Sequence, residues 1–288
     1  MLSAPDVVAV GLRALSFVAL FQATGIVLFL WIFKRHLTIT AKPLIKFAVY
    51  AAWGGIVLTL AHHLLGPARM TGSFSGVLDS SLQAFLLASS AGSAHALRIG
   101  GLVLIAYGCR AQARPGSAAA LLGVALVIVS FGLMGHTAAD DLRWLLAPML
   151  IVHLLIISFW FGSLLPLLYV TAREGATIGG AILERFSSLA TWSVPIILLA
   201  GIVMAFVLLP SFADLLTPYG RLVLAKIFGF AVLMGLAALN KWRFVPAIRA
   251  GDSESLPGLQ RSMAVEWSVM VLVFFTTAVL TGFFSPGH

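Results

Sequence analysis

The sequence predicts an all-α protein: a polytopic membrane helix bundle of about eight transmembrane helices with both termini on the periplasmic side. Three observations carry that expectation. Of the 288 residues, 60% are hydrophobic and only 10% charged, and the mean hydropathy is +1.05, far too apolar for a soluble enzyme. The apolar runs approach the roughly 20 residues that a hydrocarbon core of about 30 Å requires. The Lys and Arg residues sit in short clusters between alternate runs. No long polar block interrupts the pattern, so residues 1–288 read as a single transmembrane domain.

The first span, at about 7–33, follows MLSAPDVVAV. That start lacks the basic n-region of a signal peptide and its apolar run is too long for an h-region, so it is expected to stay as a helix. The second, at about 44–66, ends in LAHHLLG. The connection from 66 to 92 is the longest and contains VLDSSLQAFLLASS, too short to span and apolar enough to lie in the interface as a surface helix. The third span, at about 93–110, opens with AGSAHALRIGG; the fourth, at about 117–136, ends in FGLMGH; the fifth, at about 144–170, carries HLLIISFWFGSLLPLL. The last three run at about 186–210, 219–245 and 260–284. LLASSAGSAHALR before the third resembles LLTPYGRLVLAK at the start of the seventh: a Leu-Leu pair, then Gly92 or Gly220, then a basic residue, Arg98 or Lys226, six positions on. The likeness hints at an internal repeat.

The odd-numbered loops carry twelve Lys and Arg residues, and the alternate loops only Arg69, Arg143 and Arg221. By the positive-inside rule the odd loops are cytoplasmic, and an even number of spans puts both termini outside. The same clustering explains the net charge of +8 without nucleic acid as a partner. The single cysteine, Cys109, excludes an internal disulfide and every paired-cysteine metal or redox motif. No phosphate loop, HExxH or GxSxG occurs. Glu184 and Glu266 are expected at cytoplasmic helix ends, so a paired-carboxylate hydrolase has no support.

Chemistry therefore rests on histidine. His36, in a basic loop, and His288, at the terminus, read as solvated. His62 and His63 end the second span, His95 begins the third, His136 closes the fourth, and His153 lies deeper in the fifth. All five fall in the outer half, where an ionisable side chain within a span is a functional-site hypothesis by default. Neutral imidazole suits copper, zinc and haem iron, and thioether sulfur favours Cu(I). Met149, four residues before His153, and Met134, two before His136, are candidate co-ligands. His62 and His63 are about 100° apart on a helix, so only one is expected to face a small site. Arg98, one turn beyond His95, is placed to hold an anion or a haem propionate, or to snorkel outward. Asp140 and Asp141 read as a solvated turn. Gly54, Gly55, Gly100 and Gly101 are expected to let helices approach closely.

Three segments carry a family resemblance. His153, Trp160 and Gly162 followed by LLPLL resemble the HxxxxxxWxG segment of the CopD/PcoD copper-resistance membrane proteins. YGRLVLAKIFGFAVLMGLAALNKWRFVPAI resembles that family's YGRLLLxK to ALNRxRxxP stretch, and LQRSMAVEWSVMVLVFFTTAVLTG its LRRSxxxE…TAVLT helix. Residues 145–284 match best and the first half more loosely. The motif positions are His153, Trp160, Gly162, Tyr219, Gly220, Arg221, Lys226, Asn240 and Pro246.

The resemblance implies a multi-pass protein of the bacterial inner membrane that handles copper, for uptake, transfer or resistance. Of the expected copper ligands only His153 matches the motif, with Trp160 as a wall of the site; His62, His63, His95 and His136, with Met134 and Met149, are assigned by their placement along the chain. Some relatives carry a fused periplasmic copper-binding domain. The expected partners here are the lipid bilayer and a separate periplasmic copper-binding protein, with the oligomeric state left open. The alternative is a b-type haem protein for electron transfer, with His63, His95, His136 and His153 as candidate axial ligands and Arg98 beside a propionate.

Overall fold

The computed structural model describes residues 3–111, 114–135, 141–209 and 211–284, and there is no strand among them. Helix α1 (Ala4–Phe33) starts at a capping box in which the Ser3 hydroxyl accepts from the Asp6 N–H and the Asp6 carboxylate accepts from the Ser3 N–H. This satisfies amide donors that a helix start otherwise leaves unpaired. Being apolar on all sides, α1 sits in the middle of the bundle and is buried along most of its length, as a helix without a polar face must be. It packs against α2 (Ala41–Leu64), α7 (Arg143–Arg173) and α11 (Leu256–Phe283).

The crossing of α1 and α7 is set by two glycines. A Cβ on Gly162 would stand 2.4 Å from the Gly25 Cα, and one on Gly25 would stand 1.9 Å from the Ser158 carbonyl oxygen. Backbone therefore meets backbone, the small-residue device of membrane helix pairs. Of the glycines expected to serve this purpose, Gly101 does so against the Gly123 carbonyl and Gly55 meets the Leu102 side chain, whereas Gly54 and Gly100 face open space.

After α2, the chain makes a short helix α3 (Gly66–Thr71), a 3-10 turn (Phe74–Leu78) and α4 (Ser80–Leu87). These expose Leu78, Phe85 and Leu87, as the expected surface helix would in an interface. Helix α5 (Ser90–Arg110) then packs between α2 and α6 (Arg114–Val129), which closes in a 3-10 turn (Ser130–Leu133). Beyond α7, α8 (Ala176–Leu208) and α9 (Pro218–Leu239) follow, then a π turn (Asn240–Phe244), α10 (Val245–Arg249) and α11.

Seven of the described helices are long and apolar enough to cross a membrane. The expected third span, α5, is the exception, because buried His95 and Arg98 replace apolar residues in its first half. The last turn of α11 is tied to α1 and α3, since Arg13 Nη1 donates to Thr281 Oγ1 at 3.2 Å and Arg69 Nη2 to the Gly282 carbonyl at 3.3 Å.

The two segments likened to each other in sequence begin alike. Ser89 caps α5 by accepting from the Ala91 and Gly92 N–H groups, and Thr217 caps α9 by accepting from the Gly220 N–H. In both, a Cβ on the glycine would stand 2.1 Å from a preceding carbonyl oxygen.

Candidate functional site

The end of the bundle where α2 finishes and α5 begins holds the histidine group. His63 Nδ1 and His95 Nδ1 are 3.0 Å apart and buried; with neutral rings, one donates and the other accepts. The two rings are nearly perpendicular at 83°, and the His62 ring stands 5.6 Å from that of His95 at 81°. Thus both consecutive histidines address His95, which stands in the angle between them, where one alone was expected to face the site. His62 Nε2 and His63 Nε2 are buried without a hydrogen-bond partner. These are lone pairs or N–H groups that the bundle leaves unused, at a cost of about 1–3 kcal/mol each in an apolar setting.

Arginines surround the group. Arg98 Nε donates to Ser130 Oγ at 3.0 Å, and its guanidinium lies 4.2 Å over the Phe131 ring. Arg13, a residue with no role in the sequence reading, lies within electrostatic range of His62, His95 and Arg98. Arg69 reaches Asp6 at 3.1 Å and acts on His62 as well. Only the pairing of hydrophobic spacing with a lone charge, in GLRALSF, could have marked Arg13 in advance.

His153 stands apart. Its neighbours are the Ile197 backbone on α8 and the charge of Lys226 on α9, and its Nδ1 is buried without a partner. Helix α1 lies between α2 and α7, so the expected single cluster is divided into an α2–α5 group and a separate His153. His136 and Asp140 lie outside the described residues. Met134 follows the turn after α6, and half-buried Met149 is on α7. Among the described residues, no three His, Cys, Asp or Glu side chains converge as a metal-holding group. His63 and His95 form a pair. With bonds of about 2 Å, two nitrogens sharing an ion stand at most about 4 Å apart, so 3.0 Å is within reach of one ion once the bridging proton leaves.

A second polar group lies in the bundle interior, and sequence reasoning missed it by placing Glu266 at a helix end. Glu266 is 2% exposed. Its Oε2 accepts from the Trp160 indole N–H at 3.2 Å, and its Oε1 accepts from the Asn240 amide. Alongside, Gln22 Nε2 donates to the Gly162 carbonyl at 3.2 Å, and Trp267 Nε1 donates to Gln22 Oε1 at 3.2 Å. Trp160 thus turns to Glu266, where the wall of a histidine site was expected. The three segments of the resemblance meet here, one residue from each.

Two family models match the chain: Copper resistance protein D-like, N-terminal domain, over residues 4–142, and Copper resistance protein D, over 180–280. The first half is therefore matched as well as the second, and His153 to Gly162 falls between the two ranges. The copper transport protein CutJ of Bacillus subtilis is 27% identical over 171 residues, 56% of this chain and 30% of that protein. The inner membrane protein YebZ of Escherichia coli is 29% identical over 133 residues, 45% of this chain and 46% of that protein. The matches thus span less than half the length of either relative. No solved structure matches.

Proposed function

Because the chain belongs to the copper resistance protein D family, we propose that it handles copper as cargo in the bacterial inner membrane, receiving the ion at the histidine end of the bundle. The observation that carries this reading is the His63–His95 pair at 3.0 Å, beside the buried, unpartnered Nε2 atoms of His62 and His63. Two imidazoles fall short of the four ligands of a structural zinc site and suit an ion content with few ligands. His62, His63 and His95 form the receiving group, and His153 with Met149 is a separate station on α7. A separate periplasmic copper-binding protein delivers the ion. The name of CutJ, a copper transport protein, supports the direction of the reading.

Competition of the purified protein with a chromophoric Cu(I) chelator tests it. The wild type should withdraw Cu(I), and His63→Ala/His95→Ala should lose affinity roughly tenfold or more. Equal affinity in the two proteins would overturn the assignment.

One observation favours a second reading. Arg13, Arg69 and Arg98 around the histidines oppose a bare cation and suit the carboxylates of a haem b, which would make the protein an electron carrier. The direct His63–His95 hydrogen bond leaves no space for a macrocycle between those two rings. A Soret band in protein from haem-replete cells, lost in His95→Ala, would decide for haem.

A further inference from the structure

Glu266 has no role in the copper reading, and its setting is unusual. The 28 residues of α11 make a rod about 42 Å long, and Glu266 lies about 5 Å from its midpoint, well inside a core about 30 Å thick. An ionisable residue at that depth is costly and marks an ion or proton pathway by default. Its partner Asn240 opens the π turn that interrupts α9, and such turns concentrate at functional sites.

The groups facing Glu266 are neutral from every packed element. Trp160 comes from α7 and Asn240 from the π turn, and α1 contributes Gln22, engaged with Gly162 and Trp267. The nearby cations are turned elsewhere: Lys241 donates to Thr191 and Arg243 lies by the Phe244 ring. Lys226 is fourteen residues, about 21 Å, away along α9. His153 is two helical turns from Trp160, about 10 Å. Two further buried oxygens here have no partner, Asn240 Oδ1 and Ser262 Oγ, one turn before Glu266.

This inventory selects the ligand. A hard metal cation needs about six oxygens, and Glu266, Asn240 Oδ1 and Ser262 Oγ supply four at most. A proton needs one oxygen and one acceptor for the resulting O–H. The Asn240 amide can serve both states, because its NH2 donates to a carboxylate and, turned over, its Oδ1 accepts from a carboxylic acid. We propose that Glu266, held between Trp160 and Asn240, is an intramembrane proton-loading site. The acid releases its proton to water and regains it from water, so the carboxylate charge appears and disappears inside the bundle. Exchange of that proton against copper rests on the copper reading above; the proton site itself does not.

Infrared difference spectra of copper-free protein in liposomes, recorded across pH, test it. The wild type should show a protonated-carboxyl C=O band that shifts in D2O and bleaches as pH rises, and Glu266→Gln should lack it. Trp160→Phe and Asn240→Leu each keep the acid and remove one donor, and each should displace the midpoint roughly tenfold in proton concentration. These two variants serve if Glu266→Gln does not fold. An identical band in Glu266→Gln, a wild type with no titrating acid, or an unmoved midpoint in both donor variants would overturn the proposal. A dye inside the liposomes then reports proton movement on Cu(I) addition. Proton movement absent while the infrared band titrates removes the coupling and keeps the site. Loss of Cu(I) binding with the band intact removes the copper reading alone.

Discussion

Among the described residues two carboxylates are buried, and they are held in opposite ways. Glu174, at the end of α7, accepts from five donors: the N–H groups of Thr38, Ile39 and Thr40 and the hydroxyls of Thr38 and Thr40, at 2.5–3.1 Å. It closes the start of α2, where unpaired amides and the helix dipole favour an anion. Burial pushes its pKa up, but the Thr38 and Thr40 hydrogen bonds outweigh burial and bring it down to about 2. Glu266 has two neutral donors and two idle oxygens nearby. The contrast teaches that burial alone does not define a carboxylate's role. Glu174 is a latch between α7 and the α1–α2 connection that stays charged down to strongly acidic pH, whereas the surroundings of Glu266 can serve either protonation state.

The largest effect should come from removing the packing that both sites depend on. Gly162→Leu drives a side chain into the Gly25 backbone, which cannot move aside, and overpacking of this kind costs about 1–3 kcal/mol or more. Size-exclusion profiles in detergent should show loss of the folded species. A monodisperse Gly162→Leu protein of wild-type melting temperature would show that α1 and α7 do not need this crossing.

The next pair sharpens the comparison directly. Glu174→Gln puts an amide NH2 among five donors and should lower stability by about 2–3 kcal/mol. Glu266→Gln, which mimics the protonated acid, should cost about 1 kcal/mol or less. Melting temperatures in one detergent give the order, and a larger loss at Glu266 would reverse the roles assigned to the two acids.

Acid should act on the latch. The folded-state pKa of Glu174 is lowered, so its contribution is fully present above the ordinary value of 4.5 and is lost as pH falls toward 2. Wild-type melting temperature should decline across that window, and Glu174→Gln should decline less steeply. Parallel declines would show that the latch is not the titrating element. The smallest effect belongs to the periphery. Phe206 on α8 is 72% exposed, and Phe206→Leu should change stability by less than about 0.5 kcal/mol. A greater loss would mean that α8 is covered by something other than lipid.

The histidine end was largely legible from sequence, and the acidic centre was not. His62, His63 and His95 were placed together because hydropathy sets where a span ends, and they sit at the facing ends of α2 and α5. Arg98 was legible as a charge one turn from His95. Glu266 was misplaced because its span was expected to begin at residue 260, whereas α11 begins at Leu256. Glu266 is therefore ten residues into the helix and not six, about 15 Å from its start and closer to its midpoint.

By itself the sequence determined the helical fold and the extent of most spans, because hydropathy and the 1.5 Å rise act locally along the chain. Tertiary structure decided which polar groups meet. Trp160, Asn240 and Glu266 lie on three helices far apart in sequence and converge on one carboxylate, while His153 is parted from His63 and His95 by α1. The physical reason is that partners across helices depend on how closely backbones approach, and here two glycines, Gly25 and Gly162, bring α1 against α7.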